Sequence, residues 1–197
     1  FNETLEDILG RQVKNQHVAL LYIDLDHFKS VNDTLGHHVG DELVRASAAR
    51  IAAVVREHDL AARLGGDEFA VLLTRARDLE TAHLCAKRIV DAMAEPFSLM
   101  GQTVRVSASV GVAYSHAGGV DGEEFMRQAD LALYAAKRAG RSAYADYDAS
   151  LNQQERTRRD LELDLRNAIT EGQFTLVYQP QVCLQTGEWT GKETLVR

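Results

Sequence analysis

His17-Val18-Ala19-Leu20-Leu21-Tyr22-Ile23-Asp24 is an unbroken apolar run that ends on an acid. A run of this kind reads as a strand covered on both faces, as in a sheet that carries helices on either side. Upstream, Leu5, Ile8, Leu9 and Val13 recur at helical spacing, which predicts an amphipathic helix from Thr4 to Lys14. Downstream, a short helix is expected over Phe28 to Leu35 and a long one over Val39 to His58, punctuated by Gly36 and Gly40. Leu60 to Leu64 and Phe69 to Leu73 are short apolar runs around Gly65-Gly66-Asp67-Glu68, a hairpin signal. Helical spacing returns from Leu79 to Ala94 and stops before Pro96, which lacks a backbone donor. Val104 to Tyr114 alternates with period two and is expected to be one strand. Phe125 to Arg138 is a further helix ending at Gly140, and Ser142 to Tyr147 a last short strand. Strands alternating with helices predict an α/β (α+β) layer structure, helices packed on a central sheet.

After Asp148 the composition shifts. Gln153 to Leu165 is dense in Arg, Glu, Asp and Leu, the mark of a charged helix linking two domains, and Thr175-Leu176-Val177-Tyr178 begins a new strand. The expected division is a first domain over 1–147, a linker helix over 148–172 and the first strands of an incomplete second domain over 173–197.

Length and composition fit this organisation. The 197 residues are 45% hydrophobic and 26% charged, an ordinary globular balance. A net charge of −7 disfavours a sequence-independent grip on nucleic acid, so no nucleic-acid partner is expected. A polyanion would need a metal ion or a local cluster of cations to bind here. No apolar run reaches the ~20 residues of a membrane span, and no basic-then-apolar leader opens the chain, so the sequence reads as cytoplasmic. Cys85 and Cys183 lie far apart and suggest neither a metal cluster nor a disulfide framework. The seven histidines are scattered, and the adjacent His37-His38 lacks the spacing of a helix-borne zinc site.

Acids at strand ends carry the chemistry: Asp24 after the first strand, and Asp67 with Glu68 in the Gly65-Gly66 hairpin. If those strands are neighbours, carboxylates from two segments converge on one point, which is costly unless a cation sits between them. Mg²⁺ suits such a place because it binds through one or two carboxylates plus substrate phosphates. The competing structural reading makes Asp24 or Asp26 the cap of the next helix and Asp67 a plain turn former. Lys29 can donate to phosphate, and Asn32 with Asp41 offers the donors and acceptors that read a purine edge; the alternative is a solvated helix face. Lys137 and Arg141 are placed to reach one polyphosphate together, or simply to complement a helix dipole.

Together these residues resemble the GGDEF family of diguanylate cyclases. Gly65-Gly66-Asp67-Glu68-Phe69 is the signature, preceded by Asp24-Leu25-Asp26-His27-Phe28-Lys29, Asn32-Asp33, Gly36-His37 and Gly40-Asp41. Ala129-Asp130-Leu131-Ala132-Leu133-Tyr134-Ala135-Ala136-Lys137 with Gly140-Arg141 is similar to the family's closing helix, so the resemblance spans residues 1 to about 147. It implies a sheet like the palm of nucleotidyl cyclases and polymerases, and condensation of two GTP into cyclic di-GMP with release of two pyrophosphates. By position it implies Mg²⁺ (or Mn²⁺) on Asp24, Asp67 and the Leu25 carbonyl, with Glu68 either assisting deprotonation of the attacking 3′-hydroxyl or contacting the metal. It further implies a phosphate grip from Lys29, Lys137, Arg141 and the backbone around His27, Phe28 and Gly66, and guanine reading by Asn32 and Asp41. Each protomer would hold one GTP, so a homodimer, at least transient, is implied. Arg56-Glu57-His58-Asp59 matches the family's RxxD site, implying that Arg56 and Asp59 bind the product as an inhibitor.

The tail resembles the opening of an EAL phosphodiesterase domain: Leu176-Val177-Tyr178-Gln179-Pro180-Gln181, then Gly191-Lys192 and Glu193-Thr194-Leu195, with Thr in place of the family's Ala. Its remaining ligands would lie beyond Arg197, so no phosphodiesterase activity is expected from residues 1–197. At the front, the Asp-x-Leu-Thr-Gly-Leu-x-Asn-Arg segment that GGDEF domains usually carry is absent from these residues. A rival reading keeps the resemblance but makes the domain a silent module that binds GTP or cyclic di-GMP to regulate an attached EAL domain.

Overall fold

Val18–Asp26 forms β1, the centre of a five-stranded sheet in a computed structural model that describes residues 1–10, 17–76, 78–115 and 120–197. Its neighbours are β3 (Glu68–Leu73) and β6 (Ser107–Ser115), both antiparallel to it. The edges are β2 (Leu60–Gly65), paired with β3, and β7 (Tyr144–Asp146), parallel to β6. The helices are α1 (Asn2–Gly10), α2 (Phe28–Leu35), α3 (His37–Val54), α4 (Leu79–Ala94) and α5 (Gly122–Arg138). The small hairpin of β4 (Phe97–Leu99) and β5 (Gln102–Val104) stands apart from the sheet.

Period-two alternation along β1 sorts the core into two layers. Ala19, Leu21, Ile23 and Leu25 join Leu43 and Ile51 of α3 and Ala86, Ile89 and Met93 of α4 on one face. Val18 and Leu20 join Leu5 of α1 and Phe125 and Ala129 of α5 on the other. The central strand is thus buried on both sides, as its unbroken apolar run requires. Helix α5 lies close on β6 because position 111 has no side chain: a Cβ there would fall 2.0 Å from the Ala129 carbonyl oxygen and 2.2 Å from the Leu133 nitrogen. Arg50 of α3 closes α4 by donating to the carbonyls of Ala92, Glu95 and Pro96, and its guanidinium lies 3.5 Å from the centre of the Phe97 ring. Pro96 alone stops the helix, and Arg50 satisfies the carbonyls left at its end.

Two expectations need correction. The strand expected from Val104 to Tyr114 is broken: Val104 ends the β4–β5 hairpin and β6 starts at Ser107. The alternation runs through both pieces, and periodicity alone does not register the change of partner. The helix expected to reach His58 ends at Val54, where Arg56–Asp59 turns instead; the Asp59 backbone nitrogen donates to the Arg56 carbonyl at 3.0 Å and the Asp59 carboxylate accepts from the Thr74 nitrogen at 3.2 Å. A helix expected over Thr4 to Lys14 is described only as α1, its remaining positions 11–14 lying outside the described residues. Cys85 is buried in the core, and burial pushes its thiol up to about 11; Cys183 is half-exposed.

By compactness the chain divides into two units, Phe1–Leu151 and Asn152–Arg197. Helix α6 (Ala149–Thr170) spans that division, and the second unit carries an antiparallel hairpin of β8 (Leu176–Val182) and β9 (Trp189–Val196), with Gln179 opposite Glu193. No described helix is long and apolar enough to cross a membrane.

Candidate active site

Strand register assembles the site. Asp24 on β1 lies directly opposite Glu68 on β3 and Ser109 on β6, so the three side chains share the sheet face that α5 covers. The Gly66-Asp67 turn between β2 and β3 brings Asp67 to the same end, where its carbonyl accepts from the Leu25 nitrogen at 3.3 Å. Gly66 takes φ +49°, the left-handed region a tight hairpin turn demands, and Arg63 holds the turn by donating twice to the Gly66 carbonyl, at 3.0 and 2.8 Å. The hairpin anticipated from Gly65-Gly66 is therefore present, and it brings the Asp67 charge near enough to act on the Asp24 carboxyl.

Two like charges opposite one another on a sheet repel. Lys137, in the last turn of α5, answers one of them, its Nζ 2.8 Å from the Asp24 Oδ2. Tyr22 answers the other, its hydroxyl donating to the Glu68 Oε2 at 3.3 Å. Burial, with the Glu68 charge beside it, pushes the Tyr22 phenol up to about 12, so it stays a donor. Burial also raises the Asp24 carboxyl above the ordinary Asp range; Lys137 opposes this, and Asp67 and Asp26 add to it. Asp24 is thus a half-buried acid that calls for more positive charge than one lysine supplies.

Asp26 is the residue that spacing undervalued. It is 2% exposed and accepts from the Ser107 Oγ at 2.7 Å, the Ser109 Oγ at 2.8 Å and the Ser142 nitrogen at 3.1 Å, with the Arg141 Nε 3.9 Å away. It does not cap α2: the N-cap is His27, in the left-handed conformation at φ 60° with no side-chain cap. The reading of Asp24 or Asp26 as a helix cap therefore fails, and Asp26 instead ties the β1 end to the turn after α5. That turn has Gly140 at φ 122° with the Arg141 nitrogen bonded to the Ala136 carbonyl, a Schellman-type end that swings Arg141 back toward the acids. Ser107 and Ser109 on alternate positions of a strand were the available signal for a buried acceptor.

The start of α2 leaves the Phe28 and Lys29 amides without intrahelical acceptors, beside the acids, and Lys29 is exposed there. Asn32 packs on the first turn of α3, where a Cβ on Gly40 would fall 1.9 Å from its Oδ1; Asp41 follows Gly40 and is exposed. Arg56 and Asp59 do not join this site. They border a separate cleft of about 90 Å³ with Arg75, Thr81, Cys85 and Arg88. Arg75 and Arg88 escaped the sequence reading, although Thr81, Cys85 and Arg88 stand at the i, i+4, i+7 spacing of one helix face.

Among the described residues no three His, Cys, Asp or Glu side chains surround one point as a ready-made metal cage. The donors present still suit Mg²⁺, which needs only one or two carboxylates when phosphates complete its shell. Asp24, Asp67 and the Leu25 carbonyl are oxygen donors, and the Lys137 ammonium stands where a cation is wanted.

Comparisons with known proteins agree with this geometry. A family model described as "Diguanylate cyclase, GGDEF domain" matches residues 1–143. The chain is 40% identical over 197 residues to the bifunctional diguanylate cyclase/cyclic di-GMP phosphodiesterase MucR of Pseudomonas aeruginosa, covering 100% of this chain and 29% of that protein. It is 38% identical over 195 residues to the signaling protein YkoW of Bacillus subtilis, covering 98% of this chain and 24% of that one. The chain therefore spans between 24% and 29% of the length of these curated relatives. Among solved structures it is similar to the active GGEEF domain of a diguanylate cyclase from Vibrio cholerae, with TM-score 0.68, 32% identity and coverage of 75% of this chain and 94% of that one. The GGDEF domain of DgcB from Caulobacter crescentus in complex with c-di-GMP matches with TM-score 0.69 and 30% identity, over 75% of this chain and 88% of that one. By motif, fold and site, the chain belongs to the GGDEF family of diguanylate cyclase domains.

Proposed function

We propose that this domain condenses two GTP into cyclic di-GMP and two pyrophosphates. The observation that carries this reading is that Asp24, near the end of β1, and Asp67, in the β2–β3 turn, lie close enough for the Asp67 charge to raise the Asp24 carboxyl, with Lys137 paired to Asp24 and Arg141 near Asp26. Asp24, Asp67 and the Leu25 carbonyl would hold Mg²⁺ (or Mn²⁺), which supplies charge neutralisation at the phosphates and acidifies the attacking hydroxyl. Lys137, Arg141, Lys29 and the amides of His27, Phe28 and Gly66 hold the triphosphate. Asn32 and Asp41 read the guanine edge. Glu68, steadied by Tyr22, accepts the proton as the 3′-oxygen forms its bond to the α-phosphorus and the bond to the β-phosphate oxygen breaks. Each 3′-hydroxyl attacks the other nucleotide, so two protomers must face each other in a two-fold dimer.

Incubation with GTP and Mg²⁺, with products resolved by chromatography, tests this reading. Cyclic di-GMP and pyrophosphate in a one-to-two ratio are expected, with a rate per protomer that rises with protein concentration. Tight GTP binding with no product would leave the regulatory-module reading in its place.

Gly40→Ala supplies a finer check on base recognition. The new methyl group cannot coexist with Asn32 in its present rotamer, so KM for GTP should rise about tenfold, the loss of roughly one good hydrogen bond, with little change in kcat. An unchanged KM would remove Asn32 from the guanine site.

We further propose that Arg56 and Asp59, with Arg75 and Arg88 beside them, bind the product as an inhibitor; three guanidiniums around one small cleft favour a bis-phosphate. Arg56 is exposed, so Arg56→Ala should spare the fold while weakening cyclic di-GMP binding at least about tenfold in calorimetry and relieving inhibition. Unchanged binding would end the proposal. Residues 173–197 are proposed as the opening of an EAL domain, a reading supported by the match to the bifunctional MucR, which runs through 100% of this chain, with Glu193 on β9 as a latent metal ligand and no hydrolysis by residues 1–197. A cytoplasmic setting, where GTP is abundant, belongs to the same reading.

A further inference from the structure

A cleft of about 470 Å³ opens between α2 and the segment joining β5 to β6. It is separate from the guanine-reading side of α2. Asn32 turns toward Gly40 of α3, whereas Ser30, Val31 and Thr34, at i, i+1 and i+4, face the cleft. Val31 and Leu35 on one wall and Val104 and Val106 on the other give it an apolar lining, and Leu35 is 36% exposed. Arg105 stands on the wall between the two valines. Its guanidinium makes no side-chain hydrogen bond or ion pair with another described residue. Asp26 is the one acid among the cleft's described lining residues, and its carboxylate is already engaged by Ser107, Ser109 and the Ser142 amide.

We propose that this cleft is a second ligand site, for a small organic anion with an apolar body. The body packs against Val31, Leu35, Val104 and Val106, and the carboxylate or sulfonate pairs with Arg105. Charge selects the class: in a chain of net charge −7, an unpaired guanidinium at the side of an apolar cleft is a local attractor for anions. Volume selects the size, since a cleft of this capacity holds a ring system or a short acyl chain, in the range of ordinary small-molecule sites. His27 and Ser107 form part of the same lining, so an occupant touches the loop whose amides face the acids. The site does not depend on the cyclase reading, because binding here requires neither GTP nor a metal.

The test is calorimetric titration of the 197-residue chain with 1-naphthoate, alongside its uncharged amide, and methyl NMR of the wild-type chain with the same probe. One saturable site is expected, with naphthamide and the Arg105→Gln variant each binding about tenfold more weakly or worse. Methyl shifts should concentrate on Val31, Leu35, Val104 and Val106 in the wild type, a readout that needs no variant to fold. Absence of saturable binding up to about 10 mM, a weaker limit than ordinary small-molecule sites show, would overturn the proposal. So would equal binding by Arg105→Gln, or shifts that map to the Arg56–Arg88 cleft instead.

Discussion

Asp24→Asn should lower cyclic di-GMP synthesis by about 10³-fold or more while leaving the fold intact and the melting temperature level or higher. The activity loss follows from removing a charged oxygen donor at the point where the metal and triphosphate would meet. The stability effect follows from the sign of the Asp24 shift. Burial, joined by Asp67 and Asp26, raises its folded-state pKa above the unfolded value, and Lys137 offsets only part of this. The folded state therefore holds the Asp24 proton more tightly than the unfolded state does. Its contribution to stability is present below the unfolded carboxyl pKa and is lost as pH rises through the higher folded one. At neutral pH the ionised side chain is a cost, and Asn removes it. Thermal melts at pH 7 should place the variant at or above the wild type, with its advantage shrinking as pH falls toward about 4. A variant that keeps full activity, or one that melts well below wild type at pH 7, would contradict the role assigned to Asp24.

Gly111→Ala is expected to be the most damaging single methyl group in the domain. The Cβ would collide with backbone atoms of α5, the Ala129 carbonyl and the Leu133 nitrogen and Cα, none of which can rotate away. Helix α5 must lift from β6, which opens contacts among Ala113, Phe125 and Ala129 in the second core layer. Overpacking against backbone costs about 3 kcal/mol, and for a domain of this size that lowers Tm by roughly 6–12 °C. Lifting α5 also withdraws Lys137 from Asp24, so GTP binding should weaken in molecules that remain folded. Calorimetric melting with GTP titration at low temperature checks both effects; a Tm within a degree or two of wild type would show that α5 is not seated tightly on β6 at Gly111.

Much of this arrangement was legible in the residues themselves. The apolar run ending at Asp24 implied a strand buried on both faces, and β1 is the central strand. Gly65-Gly66 implied a hairpin, and the left-handed Gly66 makes its turn. Long-range placement was harder to see. Nothing local to Asp26 marks it as the acceptor for Ser107, Ser109 and Ser142, because those donors lie on distant segments brought close by the β1·β6 register. The same holds for Arg75 and Arg88, which reach the Arg56–Asp59 cleft from β3's exit and from α4. Val104 was misplaced for the opposite reason: its local alternation was correct, but the chain changes partners between Val104 and Ser107. Arg50, read only as part of a helix, turned out to hold the end of another.

Electron paramagnetic resonance of Mn²⁺ added to the chain with a non-cyclisable GTP analogue tests most directly whether Asp24 and Asp67 share a divalent ion beneath a triphosphate. Nucleotide-dependent Mn²⁺ binding is predicted for the wild type and its loss in both Asp24→Asn and Asp67→Asn. Mn²⁺ held as tightly by the two variants as by the wild type would contradict the shared-ion site.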